Sequence, residues 1–219
     1  MKRPMLQTFL PLIAGALFLS TTPAGIANAQ NKPPRFSQLQ ADQLTPAQRP
    51  LGDKILKVSS VGLYGPYNLL LRSPVMGERM FQLLDYLRFH TSVPRSLNEF
   101  AILIQARLWT SQLEWGAHYP MALKAGLPKA VADELKEGKR PTSMTPEEAA
   151  VYDFCMEASS KRGVSDATFR RARQFLSQQQ LIDLTVLSGT YATLSMMLNM
   201  GEQGLPPGRT PPLKPLPSH

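Results

Sequence analysis

Arg107-Leu-Trp-Thr-Ser-Gln-Leu-Glu-Trp-Gly-Ala-His-Tyr-Pro-Met-Ala-Leu-Lys-Ala-Gly126 is the stretch on which the reading of this chain turns. Its apolar residues recur at helical spacing, and Gly126 suits the left-handed position that closes a helix. On one helix, Arg107, Ser111, Glu114 and His118 follow at steps of four, three and four residues and share a narrow stripe. Ile104, Leu108, Leu113 and Ala117 surround them. The stripe is therefore either open to solvent or the lining of an enclosed pocket, and the flanking Trp109 and Trp115 favour enclosure. An imidazole one turn from a carboxylate suits proton transfer. His118 exchanges protons near neutrality, and Glu114 either fixes its tautomer or is itself the base. Arg107 is the candidate carboxylate anchor, through its fork of N–H donors. The plainer alternative is a surface Glu–His pair contributing about 0.2–0.5 kcal/mol to the helix.

Outward from this stretch the pattern stays helical. Ser96-Leu-Asn-Glu99 reads as a capping box, so one helix is expected from there to Ala125. Pro120 lies inside it and predicts a kink at residues 116–120, eased by Gly116; the alternative is a stop at Tyr119 and a restart. Upstream, Met80, Leu83, Leu84 and Leu87 mark a helix from Ser73-Pro74 to about His90, which is placed to cap it. A short helix from Thr45-Pro46 reaches about Lys57 and is strained by Pro50. The intervening Gly62–Arg72 segment is loop-like yet apolar. It packs on the body or lines a pocket, with Tyr67 and Arg72 as its candidate substrate contacts.

Downstream, a short helix follows Leu127-Pro128 and ends near Gly138. Thr145-Pro-Glu-Glu148 is a second capping box, and Ser165-Asp166 opens another helix. Gln178 to Met200, closed by Gly201, is the last and longest. Met196, Met197 and Met200 read as packing in the core or between subunits. Tyr191 and Asn199 face similar directions, toward the border of the pocket. No useful β-alternation occurs, so the fold class is all-α, about seven helices in one domain over residues 45–205. Residues 30–44 read as a flexible leader. Residues 206–219 carry six prolines and read as an extended, disordered tail.

Lys2 and Arg3, the apolar run from Phe9 to Leu19 and Ala27-Asn-Ala29 form a secretory signal peptide over residues 1–29, cut after Ala29. The run is too short to span a bilayer, so no stable membrane anchor is expected after cleavage. The protein is expected to be exported, periplasmic or secreted. Cys155 is the single cysteine, so no intramolecular disulfide can form, and stability rests on packing and oligomerisation. Its apolar surroundings make it a buried structural residue. The net charge of +8 favours anionic partners. Without a dense basic cluster interleaved with aromatics, nucleic-acid binding is not expected. Glu114 and His118 are too few to hold a metal.

Glu114-Trp-Gly-Ala-His118, with Arg107 and Trp109 before it and Ala122-Leu-Lys-Ala-Gly126-Leu after it, resembles the carboxymuconolactone decarboxylase family. So do Gly65-Pro66, Leu71-Arg-Ser-Pro74 and Tyr86-Leu-Arg-Phe89 in the first half. Glu147-Glu-Ala-Ala-Val-Tyr-Asp153 and Val164-Ser-Asp166 continue the likeness over residues 44–207. The resemblance implies an alkylhydroperoxidase D-like helical fold assembled as trimers or hexamers. It implies cofactor-independent acid–base chemistry by Glu114 and His118, such as decarboxylation of a small carboxylated or lactone-type molecule, with Arg107 and Trp115 at the substrate. A ligand-binding or scaffold oligomer of the same fold is the alternative. Peroxidase members place a Cys-x-x-Cys pair just before the histidine, where this chain has Leu113-Glu-Trp-Gly116. Thiol-dependent peroxide reduction is therefore not implied. An exported protein also departs from the cytoplasmic setting of aromatic catabolism.

Overall fold

In this computed structural model the structure describes residues 33–206 and 208–216. The expected signal peptide and His219 lie outside the described residues. Among the described residues there are nine α-helices and no strand, two more helices than the sequence pattern suggests. They are α1 (Arg49–Val58), α2 (Pro66–Leu70), α3 (Pro74–Asp85), α4 (Arg95–Leu108), α5 (Gln112–Lys124), α6 (Lys129–Lys136), α7 (Pro146–Ser160), α8 (Asp166–Ala172) and α9 (Gln178–Met200). A single π-helical turn, Tyr86–His90, continues α3.

The bundle is built around α4. Every residue from Leu97 to Arg107 is buried, because the run Phe100-Ala-Ile-Leu-Ile104 is apolar on all faces and must be covered on all of them. Helices α5, α6, α7 and α9 supply the cover. Helix α9 is long and apolar enough to cross a membrane, yet here it packs against α4 and α7 and its inner face lies in the core.

The continuous helix expected from Ser96 to Ala125 is in fact two. Trp109 caps α4, and the chain turns back at Thr110, which holds φ +48°. Ser111 N–H then donates to Ala106 C=O at 2.8 Å and Thr110 N–H to Arg107 C=O at 3.0 Å, a Schellman closure. Such a closure ordinarily announces itself with glycine. A threonine in this region is uncommon, so nothing in the sequence marked the break. The same motif at Gly126, with φ +102°, ends α5 where expected. Helix α5 runs through Pro120 without stopping at Tyr119.

The Ser96–Glu99 capping box does not form. Helix α4 starts at Arg95 after Pro94, and Glu99 turns into the interior. The box at Thr145–Glu148 is present as expected. Helix α1 begins at Arg49, which places Pro50 in its first turn, where proline fits rather than strains.

Both ends of the domain are tied down. Arg35 N–H donates to Gly201 C=O at 2.9 Å, the Asn68 amide brackets the backbone of Leu39, and Leu44 is buried. The segment read as a flexible leader is thus a strap from at least Arg35 onward. At the other end, the Gln112 side chain bonds both the N–H and the C=O of Leu213 at 2.9 and 2.8 Å, and Leu213 is buried. Residues 209–216 therefore dock on the body instead of trailing from it. Composition suggested disorder there, and side-chain hydrogen bonds to the backbone override it.

Gly77 shows how tightly the α1–α3 corner is packed. A methyl group there would overlap the Leu70 carbonyl oxygen and lie 2.9 Å from Leu51 Cδ2. Gly77→Ala is expected to destabilise the domain by about 1–3 kcal/mol, measurable as a lower urea midpoint with unchanged slope.

Candidate functional site

Two helices and the turn between them bring three ionisable side chains into one buried line. Glu99 comes from the second turn of α4, and Glu114 and His118 from successive turns of α5. His118 Nδ1 lies 2.7 Å from Glu99 Oε2, and His118 Nε2 lies 3.4 Å from Glu114 Oε2. Their side chains are 6%, 0% and 3% exposed for His118, Glu99 and Glu114, so water does not screen them. Arg95, one turn before Glu99, pairs with Glu99 Oε1 at 2.7 Å. The His118 ring stands perpendicular to that of Tyr191 of α9, ring centroids 5.1 Å apart at 88°.

The two carboxyl groups are driven in opposite directions. For Glu99, burial raises the pKa, but the hydrogen bond and charge of His118, with Arg95 and Arg88, outweigh it and hold the group below its usual value. For Glu114, burial dominates over the attraction of His118 and Arg88, and the group is held above its usual value. Glu114 Oε1 is buried and has no hydrogen-bond partner. An ionised Glu99 thus accepts from His118 Nδ1–H, which orients the ring and directs Nε2 toward Glu114. A carboxyl that readily keeps its proton and an imidazole nitrogen stand side by side. Divergent environments of this kind mark acid–base assignments.

Glu114 borders a cavity of about 510 Å³. Its walls include Tyr67 of α2, Leu84 of α3, Arg88 of the π turn, Leu113 and Ala117 of α5, and Tyr191 and Leu194 of α9. Leu205, Pro206 and Arg209 close one side from the C-terminal segment. The Arg88 backbone is set by α4: the Asn98 side chain donates to Leu87 C=O at 2.8 Å, and the Arg95 guanidinium donates to Arg88 C=O. Tyr191 is pushed well above its usual value by burial, so it serves as a neutral wall.

The structure sorts the residues singled out from the sequence. Glu114 and Tyr67 line the cavity, Tyr191 joins them, and His118 stands behind Glu114 without lining it. Arg107 does not: it sits on α4 beyond the helix break, and its guanidinium reaches Thr110 Oγ1 at 3.3 Å and Lys214 C=O at 3.0 Å. It anchors the C-terminal segment, and the four-residue stripe dissolves because its helix is interrupted. Arg72 turns outward, donating to Ser37 C=O with its charge over Phe36. Trp115 is 1% exposed and packs on Tyr119 in the core, away from the cavity. Asn199 bonds Trp109 C=O, and the exposed His90 pairs with Asp85. Among the described residues no cluster of three or more His, Cys, Asp or Glu could hold a metal.

Glu99 and Arg88 escaped the sequence reading. Glu99 had a signal: directly before Phe100-Ala-Ile-Leu-Ile104, a helical carboxylate has no solvent-facing side to occupy. Arg88 stood only as one member of the Tyr86-Leu-Arg-Phe89 likeness, and spacing did not place it on the π turn at the cavity.

The fold and the site together define a class: an alkylhydroperoxidase D-like helical bundle with a buried carboxylate–imidazole–carboxylate line beside a cavity. The assignment of the fold rests on a solved structure described as the alkylhydroperoxidase AhpD core of an uncharacterized peroxidase-related protein from Ralstonia eutropha JMP134. It superposes with a TM-score of 0.65 at 15% sequence identity, over 78% of this chain and 90% of that one. No family model matches the chain. No curated protein matches it either.

Proposed function

We propose that this chain is a cofactor-independent acid–base enzyme of the carboxymuconolactone decarboxylase type, acting on a small carboxylated or lactone-type molecule. The observation that carries the reading is Glu114. It is buried, held above its usual pKa, unpartnered at Oε1, backed by His118 and placed at the cavity wall. In the decarboxylation, the bond from carbon to the departing carboxylate breaks and CO2 leaves. The electron pair enters the conjugated system, and a carbon further along takes the Glu114 proton. Nε2 of His118 then takes a proton from solvent, Glu99 stabilises the imidazolium so formed, and Nε2 passes that proton to the Glu114 carboxylate. Export and homo-oligomeric assembly belong to the same reading. They rest on the N-terminal sequence and on the family resemblance.

The test is to incubate the protein, purified without residues 1–29, with a panel of unsaturated lactone acids and β,γ-unsaturated acids and to follow loss of CO2 by mass spectrometry. Turnover that disappears in His118→Ala supports the proposal. Turnover that persists in His118→Ala contradicts it.

The neighbour's description as peroxidase-related suggests thiol chemistry as a second reading, and Cys155 speaks against it. It is fully buried on α7, bonded to Ser188, and its thiol is pushed up to about 12 by burial. A thiolate is therefore scarce at any working pH. Cys155→Ala is expected to leave turnover within about twofold of wild type while costing about 1 kcal/mol of stability. Steady-state assays beside a urea melt would check both numbers.

A further inference from the structure

Arg88 is a charged side chain whose presence the proton line does not explain. It lines the same cavity as Glu114, yet among the described residues it forms no ion pair. Its Nε is buried without an acceptor. One Nη lies 3.8 Å from the Met121 sulfur, and the guanidinium carbon stacks 4.9 Å from the Phe89 ring centre. A thioether and an aromatic face soften the loss of water around a guanidinium but do not neutralise it. The two nearby carboxyl groups do not serve either. Glu99 is taken by Arg95 and His118, and Glu114 is held toward its neutral form. With Arg88 charged, the cavity therefore has a standing positive charge among apolar walls. A second guanidinium, Arg209, lines it from the C-terminal segment. The backbone of Arg88 is pinned at two successive carbonyls by Asn98 and Arg95, so the charge is aimed by the fold rather than left on a free side chain.

We infer that Arg88 is the anion-recognition residue of this cavity, and that its ligand is a small organic carboxylate with an apolar body. This takes over the role that sequence spacing gave to Arg107, and it rests on the acid–base reading of Glu114 for its catalytic meaning. The Arg88 donors take the anionic oxygens, and the apolar walls take the body of the ligand. The atom to be protonated is thereby held toward Glu114. A carboxylate held by arginine is stabilised against loss of CO2. In a decarboxylation Arg88 therefore binds the anionic oxygens that stay, not those that leave.

Binding alone tests the assignment. Isothermal titration would compare benzoate, phenylacetate and 5-oxotetrahydrofuran-2-carboxylate with their primary amides, on wild type, Arg88→Met, Arg88→Lys and Glu114→Gln. Wild type is expected to prefer carboxylates, and Arg88→Met to lose about 10–100-fold in carboxylate affinity with little change for the amides. Arg88→Lys keeps the charge without the fork and should fall between them, which separates recognition from a folding defect. Glu114→Gln should retain carboxylate binding, so a failure of the proton-transfer reading would leave this result standing. Equal affinity for acids and amides overturns the inference. So does wild-type affinity in Arg88→Met, or a wild type that binds none of the carboxylates.

Discussion

Glu114→Gln is expected to reduce kcat by about 10²–10⁴-fold, the range of a positioned general acid or base. The amide matches the carboxyl in volume and can donate to His118 Nε2 from the position Glu114 holds, 3.4 Å away. The fold should therefore persist. The same variant should change how stability depends on pH. Burial keeps Glu114 above its usual pKa, so between the usual and the raised value the folded state binds more protons than the unfolded state. Stability then falls as pH rises through that window, because folding opposes ionisation of the group. Glutamine has no such proton, so the variant should lose this decline and become relatively more stable on the alkaline side. Chemical melts at a series of pH values would show the crossing.

Glu99→Gln should act in the opposite pH direction. Glu99 is held below its usual value, so its contribution to stability is present above the usual carboxyl range and is lost as pH falls through the lowered value. Removing the carboxylate leaves Arg95 and His118 without their shared partner. The expected cost is about 1–3 kcal/mol near neutral pH, shrinking as the medium is acidified. Glu99 touches no ligand, so it is a positioning residue. Its loss frees the ring of His118 and should lower kcat by about tenfold or more, with KM nearly unchanged. The pH–rate profile should shift as well, which a purely structural defect would not produce.

The helical class, α9 from Gln178 to Met200, the Thr145–Glu148 cap and the Glu114–His118 pair were legible because each rests on local rules of spacing or capping. The rest depended on tertiary structure that local rules do not contain. Thr110 adopts a left-handed turn with no glycine to announce it, and that single residue separates Arg107 from the site. Glu99 satisfied the spacing of a capping box, but the apolar surroundings of α4 drew it inward to meet a histidine nineteen positions away. The C-terminal segment looked disordered because its prolines cannot form a helix. Gln112 and Arg107 supply hydrogen bonds that its sequence does not reveal. In each case the local pattern was sound and a longer-range contact prevailed over it.

The central claim is that Glu114 carries a proton toward the cavity under conditions where surface carboxyl groups have lost theirs. Infrared difference spectra of wild type against Glu114→Gln, recorded across mildly acidic to neutral pH, test it without knowledge of the substrate. The account predicts a protonated carboxyl band that titrates above the usual carboxylate range and is absent from the variant. A wild-type spectrum with only ionised carboxylates throughout that range would contradict it.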